Sequence, residues 1–158
     1  MPDIETLIGQ TGVGLHGATG VRGLKHVIES QQFTVPLLME LFERSRGMER
    51  AVACGGSLDY QNKIMATLFY EPSTRTRFSF EAAMYRLGGR VLSTEHARVF
   101  SSAMEGEQVE DLIRIVAGYA DVIVIRHHQE GGARRAAEVS PCGTGRTTVP
   151  HPMPHQRT

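Results

Sequence analysis

Ile64-Met65-Ala66-Thr67-Leu68-Phe69, continued by Tyr70-Glu71-Pro72-Ser73-Thr74-Arg75-Thr76-Arg77-Phe78-Ser79-Phe80-Glu81, is the stretch that decides the fold. The run Ile64 to Phe69 is almost continuously apolar, the pattern of a strand covered by helices on both faces of a parallel sheet. Pro72 stops the strand, and helical spacing begins near Thr74. That helix is expected to run to Leu87, to bury Phe78, Ala82 and Tyr85 on one side, and to stop at Gly88-Gly89. At its start, Ser73, Thr74, Arg75 and Thr76 present three hydroxyls, one guanidinium and several backbone N–H groups. A helix start so furnished can bind a dianion through N–H groups and a charge-assisted fork. It can equally be a capped helix start with Arg75 and Arg77 in solvent. It lacks the GxxxxGK[ST] spacing of a nucleotide P-loop, which disfavours nucleotide hydrolysis.

Outward from this stretch the chain alternates strands and helices. On the amino side, Thr34 is a helix N-cap, with Pro36 in the first turn and Leu37, Leu38, Leu41 and Phe42 on one face. This helix runs through about Val52 and ends at Gly55-Gly56. On the carboxyl side the pattern predicts a strand over Arg90 to Ser93, an exposed loop over His96 to Gly106, and a helix over Gln108 to Tyr119. A strand over Asp121 to Arg126 and a short helix over Gly132 to Val139 follow. The β-α-β-α-β order argues for an α/β three-layer sandwich around a central parallel sheet. Ligands of such sheets bind at the carboxyl ends of the strands, where the Ser73 to Thr76 turn and Arg126 both fall.

Composition excludes several classes. With 158 residues and 41% hydrophobic content, one globular domain is expected. Seventeen basic residues balance seventeen acidic ones, so neither nucleic acid nor an anionic membrane is an expected partner. No apolar run reaches the roughly 18 to 20 residues of a membrane span, and the amino-terminal residues lack a signal-peptide pattern, which makes the cytoplasm the expected compartment. Cys54 and Cys142 are widely separated, as expected of free thiols. His96, His127 and His128 have no metal-ligand spacing and are expected to be exposed or to cap turns.

The two ends differ from the middle. Residues 1–21 carry five glycines and little periodicity and are expected to be a flexible lead-in to a domain over 22–140. Residues 141–158 hold four of the seven prolines, and no acidic residue follows Glu138. This tail is expected to form no core and to be disordered or loosely attached.

Glu71-Pro72-Ser73-Thr74-Arg75-Thr76-Arg77-Phe78-Ser79-Phe80-Glu81, with Arg86-Leu87-Gly88-Gly89, resembles the carbamoyl-phosphate motif of the aspartate and ornithine carbamoyltransferases. Gln32-Phe33-Thr34, Ser101-Ser102, Gly106-Glu107, Asp111, Val124-Ile125-Arg126-His127 and Glu130-Gly131 extend the likeness over about residues 22 to 140. They resemble the aspartate branch, as does Glu71-Pro72, near which the ornithine branch usually has lysine. The resemblance implies the fold of that family's amino-terminal domain, with a sheet short of some strands. It implies carbamoyl phosphate as ligand, held by Ser73, Thr74, Arg75, Thr76 and Arg126, of which Arg75, Thr76 and Arg126 act in catalysis. It implies no cofactor and no metal, and contacts through this domain that build a homotrimer.

Two departures from the family pattern qualify the implied activity, the formation of N-carbamoyl-L-aspartate in pyrimidine synthesis. The family's loop to the neighbouring subunit carries a serine and a lysine; here Ser101 is present and Glu105 stands at the lysine position. An anion beside bound phosphate repels it. The family also continues into a His-Pro-Thr-Gln motif and an aspartate-binding domain, which His151-Pro152-Met153 only superficially echoes. The change of character after Pro141 suggests a shifted reading frame, and weak turnover or none is expected of these residues alone. An ornithine-type fragment, a non-catalytic assembly module and a truncated remnant are the alternatives.

Overall fold

The structure, a computed structural model, describes residues 24–95, 108–141 and 146–149, the last as backbone. The lead-in expected over 1–21, the loop with Ser101 and Glu105, Cys142 and His151 to Met153 lie outside the described residues. In chain order the elements are β1 (His26–Val27), a 3-10 turn (Ser30–Gln32), α1 (Val35–Ala53), β2 (Ile64–Phe69), α2 (Thr74–Arg86) and β3 (Arg90–Glu95). Then come α3 (Val109–Val116), β4 (Val122–Arg126), α4 (Gly132–Val139) and β5 (Arg146–Val149).

All pairings are parallel, in the order β1-β5-β4-β2-β3. Period-two alternation divides β2 between two cores. Ala66, Leu68 and Tyr70 face Val109 and Ile113 of α3 and Ala136 of α4, together with Ile123 and Ile125 of β4. Met65 and Phe69 face Met84 of α2, with Val124 of β4. Helices therefore cover both faces, the three-layer arrangement that the apolar spelling of β2 requires.

The amino ends of β2 and β4 are clamped by Asp121. Its N–H donates to the Ile64 carbonyl at 2.8 Å, its carboxylate accepts from the Ile64 N–H at 3.0 Å, and it pairs with Lys63 at 2.9 Å. This register brings Phe69 opposite Arg126 at the other end, so the residues after β2 emerge beside the last residue of β4.

Three expectations change. The three residues of α2 expected to be buried, Phe78 (54%), Ala82 and Tyr85 (61%), are exposed, whereas Met84 is buried. Arg77, Glu81 and Met84 have the same helical spacing as the apolar stripe, and they face a sheet surface carrying the Thr67 and Ser93 hydroxyls. Polar partners on the sheet, invisible to an apolar periodicity, choose the face. Second, residues 146–149 of the supposedly coreless tail form β5, in the gap between β1 and β4. Thr147, Thr148 and Val149 are β-branched, which suits a strand backbone even without an apolar run. Among the described residues the sheet thus has five strands where the sequence reading gives three. Third, β3 extends to Glu95, and α3 is shorter than expected, ending at Val116.

The cap of α1 is as read: the Leu37 N–H donates to Thr34 Oγ1 at 3.5 Å, with Pro in the first turn. Of its apolar residues only Leu37 is buried, while Val35, Met39 and Phe42 are exposed. Gly88 closes α2 at a φ of 80°, and an added Cβ there would lie 2.8 Å from the Leu58 Cα, so both conformation and space demand glycine.

Candidate functional site

Tyr70, Glu71 and Pro72 carry the chain from β2 to Ser73, the N-cap of α2. Ser73 has φ −155° and ψ 72°, and its hydroxyl makes no capping hydrogen bond. The capping-only reading of this turn therefore fails at its first residue. The first helical hydrogen bond runs from the Arg77 N–H to the Ser73 carbonyl at 2.9 Å, which leaves the N–H groups of Thr74, Arg75 and Thr76 without helical acceptors. Thr74 and Arg75 are exposed and Ser73 and Thr76 half-buried. Among the described residues none of these four side chains makes a hydrogen bond or ion pair. Hydroxyls, a guanidinium and the positive end of a helix dipole thus adjoin at this turn, and among the described residues no anion pairs with them.

Arg77 behaves differently from Arg75. Its side chain is only 15% exposed, and Nη1 donates to Ser93 Oγ at 3.2 Å, with Nε 3.9 Å from the Glu81 carboxylate. Its guanidinium also lies 5.3 Å from the centroid of the Phe78 ring. Arg77 is thus directed beneath the helix, not into solvent. Glu81 Oε1 accepts from Thr67 Oγ1 at 2.9 Å and from Ser93 Oγ at 2.5 Å.

Arg126 ends β4 on the same edge of the sheet, and its carbonyl accepts the Tyr70 N–H at 2.9 Å. Its Nε is buried without a hydrogen-bond partner among the described residues and stands 3.7 Å from Glu71 Oε2. At that separation the pair is ionic but not hydrogen-bonded. The guanidinium is therefore loosely held, with capacity to grip another anion.

His127, next in sequence, is buried, where the sequence reading expected exposure or a cap. Its Nδ1 accepts the Gln129 N–H at 3.1 Å, which is a capping role, so the ring proton sits on Nε2. Its ring packs on Tyr70 at 4.5 Å and stacks on His128 at 4.6 Å. Burial, then the neighbouring His128, pushes the His127 imidazole down to about 4. Neutral His127 and Tyr70 thus bind together the strand ends that carry Arg126 and Glu71. Among the described residues no group of three His, Cys, Asp or Glu side chains could hold a metal ion, and no helix is long and apolar enough to cross a membrane.

The structure therefore brings Ser73, Thr74, Arg75, Thr76 and Arg126 to one edge, while Ser101 and Glu105 lie outside the described residues. Sequence reasoning missed the Thr67–Glu81–Ser93–Arg77 cluster and the Tyr70–His127 contact. The one usable signal was Thr67, a hydroxyl in the middle of an apolar strand.

Comparison with known proteins bears on this geometry. A family model described as aspartate/ornithine carbamoyltransferase, carbamoyl-P binding domain, matches residues 25–154. An aspartate carbamoyltransferase of Oryza sativa subsp. japonica, named as chloroplastic, is 54% identical over 132 residues, covering 80% of this chain and 36% of the relative. The catalytic subunit of aspartate transcarbamoylase from M. jannaschii superposes with a TM-score of 0.71 at 41% identity, covering 80% of this chain and 42% of that one. The Trypanosoma cruzi aspartate transcarbamoylase in complex with carbamoyl phosphate and aspartate gives 0.70 at 33% identity, covering 80% and 41%. The chain spans about a third of the length of the curated relatives it matches.

Proposed function

The chain belongs to the aspartate/ornithine carbamoyltransferase family through its carbamoyl-phosphate-binding domain, and from this we propose that the Ser73 to Thr76 turn and Arg126 bind carbamoyl phosphate for transfer of its carbamoyl group to L-aspartate. The observation that carries the reading is the uncommitted first turn of α2 beside a loosely held Arg126. The N–H groups and hydroxyls of Thr74 to Thr76 receive the phosphate, and Arg75 forks onto its oxygens. Thr76 and Arg126 donate toward the carbonyl oxygen. Attack by the aspartate amine forms a C–N bond and places negative charge on that oxygen, which the donors stabilise. The C–O bond to phosphate then breaks as a proton passes from the attacking amine to the departing phosphate, and the hydrogen phosphate dianion so formed stays in the cradle. The aspartate branch is favoured over the ornithine branch because the curated relatives are named aspartate carbamoyltransferases.

Taken as 158 residues alone, the chain is proposed to bind carbamoyl phosphate weakly and to turn over poorly or not at all, since Glu105 puts an anion where the family pattern has lysine. Carbamoyl phosphate at about 100 times its Kd should stabilise the fold by about 2.7 kcal/mol. An unchanged melting temperature at saturating carbamoyl phosphate contradicts the reading. Carbamoyl-aspartate formation on the order of ten per second contradicts the weak turnover.

Self-association is a second proposal, carried by the exposed stripe Phe78, Ala82 and Tyr85 on α2. A homotrimer through this domain, serving pyrimidine synthesis, fits the family resemblance. The cytoplasm is the proposed compartment; the rice relative is named chloroplastic, so a plastid is the alternative.

A further inference from the structure

We infer that Glu81 is a positioning residue for the anion cradle, acting through Thr67 and Ser93 to fix the height of the first turn of α2 over the strand ends. The inference rests on the proposed binding of carbamoyl phosphate at that turn.

Thr67 is fully buried at the centre of β2 and stands in register with Ser93 of β3, so two hydroxyls lie side by side on the sheet face beneath α2. Both donate to one oxygen, Oε1 of Glu81, at 2.9 and 2.5 Å. One turn nearer the cradle, Arg77 reaches the same Ser93 at 3.2 Å and lies 3.9 Å from the same Glu81 oxygen. The Glu81 and Arg77 side chains are each 15% exposed, so their charges are largely removed from water and compensate each other.

The rest of the helix contact is apolar: Met84 and Phe80 pack against Met65, Phe69 and Val91. Apolar contacts are non-directional and tolerate a small slide of the helix along its axis. Hydrogen bonds to two adjacent strands do not, because their strength falls steeply with distance and angle. A slide of α2 displaces the N–H groups of Thr74, Arg75 and Thr76 by the same amount, and with them the cradle. Glu81 is seven residues from Thr74, about two helical turns away, and touches no anion there. Arg77, committed to Ser93 and Glu81, is likewise kept out of the cradle.

The test is calorimetric titration of the full chain with inorganic phosphate and with carbamoyl phosphate, well below each variant's Tm. The variants are Glu81→Leu, Glu81→Gln, the double variant Thr67→Val/Ser93→Ala, and Arg75→Ala as control. Glu81→Leu and the double variant should weaken both anions by about tenfold or more, while Glu81→Gln, which keeps an acceptor oxygen, should stay within about threefold of the parent chain. A purely stabilising role lowers Tm and leaves both Kd values unchanged; that result overturns the inference. Should Glu81→Leu fail to fold, the double variant, close to isosteric, decides by the same criterion. Loss of binding in Arg75→Ala with full binding in the Glu81→Leu or double variant refutes positioning alone. No binding by the parent chain, or undiminished binding by Arg75→Ala, refutes the anion reading and this inference with it.

Discussion

Glu71→Gln should tighten the binding of carbamoyl phosphate. In the structure Glu71 is the anion already beside Arg126, at 3.7 Å, so an incoming phosphate or carbonyl oxygen competes with it. Two unit charges at 3.7 Å attract by about 4.5 kcal/mol at an effective dielectric of about 20, an upper bound on what the competitor withholds. The contact is too long for a hydrogen bond, and a third of the Glu71 side chain stays in water, so the pair is worth less than this bound. Fully exposed pairs measure at most about 1 kcal/mol, which sets the smallest effect expected of this half-buried one. Removing the charge while keeping the shape should lower Kd by at least about fivefold, the factor that 1 kcal/mol represents. Calorimetric titration of parent and Glu71→Gln chains at low salt reads this directly. The advantage should shrink as salt rises, because screening weakens the pair in the parent chain. An unchanged or raised Kd in the variant would refute competition between Glu71 and the ligand for Arg126.

Three other outcomes follow from the same geometry. His127 titrates near 4 in the folded chain against 6.5 for the free group, so the unfolded chain binds more protons between these values and stability rises with pH across that window. About 3 kcal/mol is present above pH 6.5 and lost as pH falls to 4; urea denaturation from pH 4.5 to 7.5 should show the slope, flattened in His127→Asn, and an equal slope in both counts against it. Gly132→Ala places a Cβ 2.4 Å from His127 Nδ1 and should destabilise by about 1–3 kcal/mol through overpacking, which an unchanged thermal melt would contradict. Phe78→Ser with Tyr85→Ser should dissociate any oligomer seen by light scattering while costing the monomer no more than about 1 kcal/mol per site, the Arg77 contact with the Phe78 ring included; oligomers that persist would place the contact elsewhere.

Much of this fold is legible in Ile64 to Glu81 alone. An apolar run, a proline and a polar helix start define β2, the turn and α2 without any tertiary information, and the spacing to Val122–Arg126 supplies the neighbouring strand. The orientation of α2 is not legible, because Phe78-Ala82-Tyr85 and Arg77-Glu81-Met84 share one helical period. The choice between them is made by Thr67 and Ser93 on strands 26 residues apart in sequence. Strand β5 escapes for a similar reason: Arg146–Val149 has no apolar run and takes its place from the strands on either side. Within the site, the residue types of Ser73 to Thr76 were readable, and so was the position of Arg126. The Glu71–Arg126 pairing and the burial of His127 were not, since both depend on the parallel register that sets Phe69 opposite Arg126.

The central claim is that the start of α2 holds carbamoyl phosphate, and its most direct test is calorimetric titration of that compound into the chain and into Arg75→Ala. Arg75 is the exposed guanidinium of the cradle, and losing its charge-assisted bonds, about 1.5–3 kcal/mol for one such bond, should raise Kd at least tenfold with no change in Tm. Equal affinity in the two chains would contradict the claim.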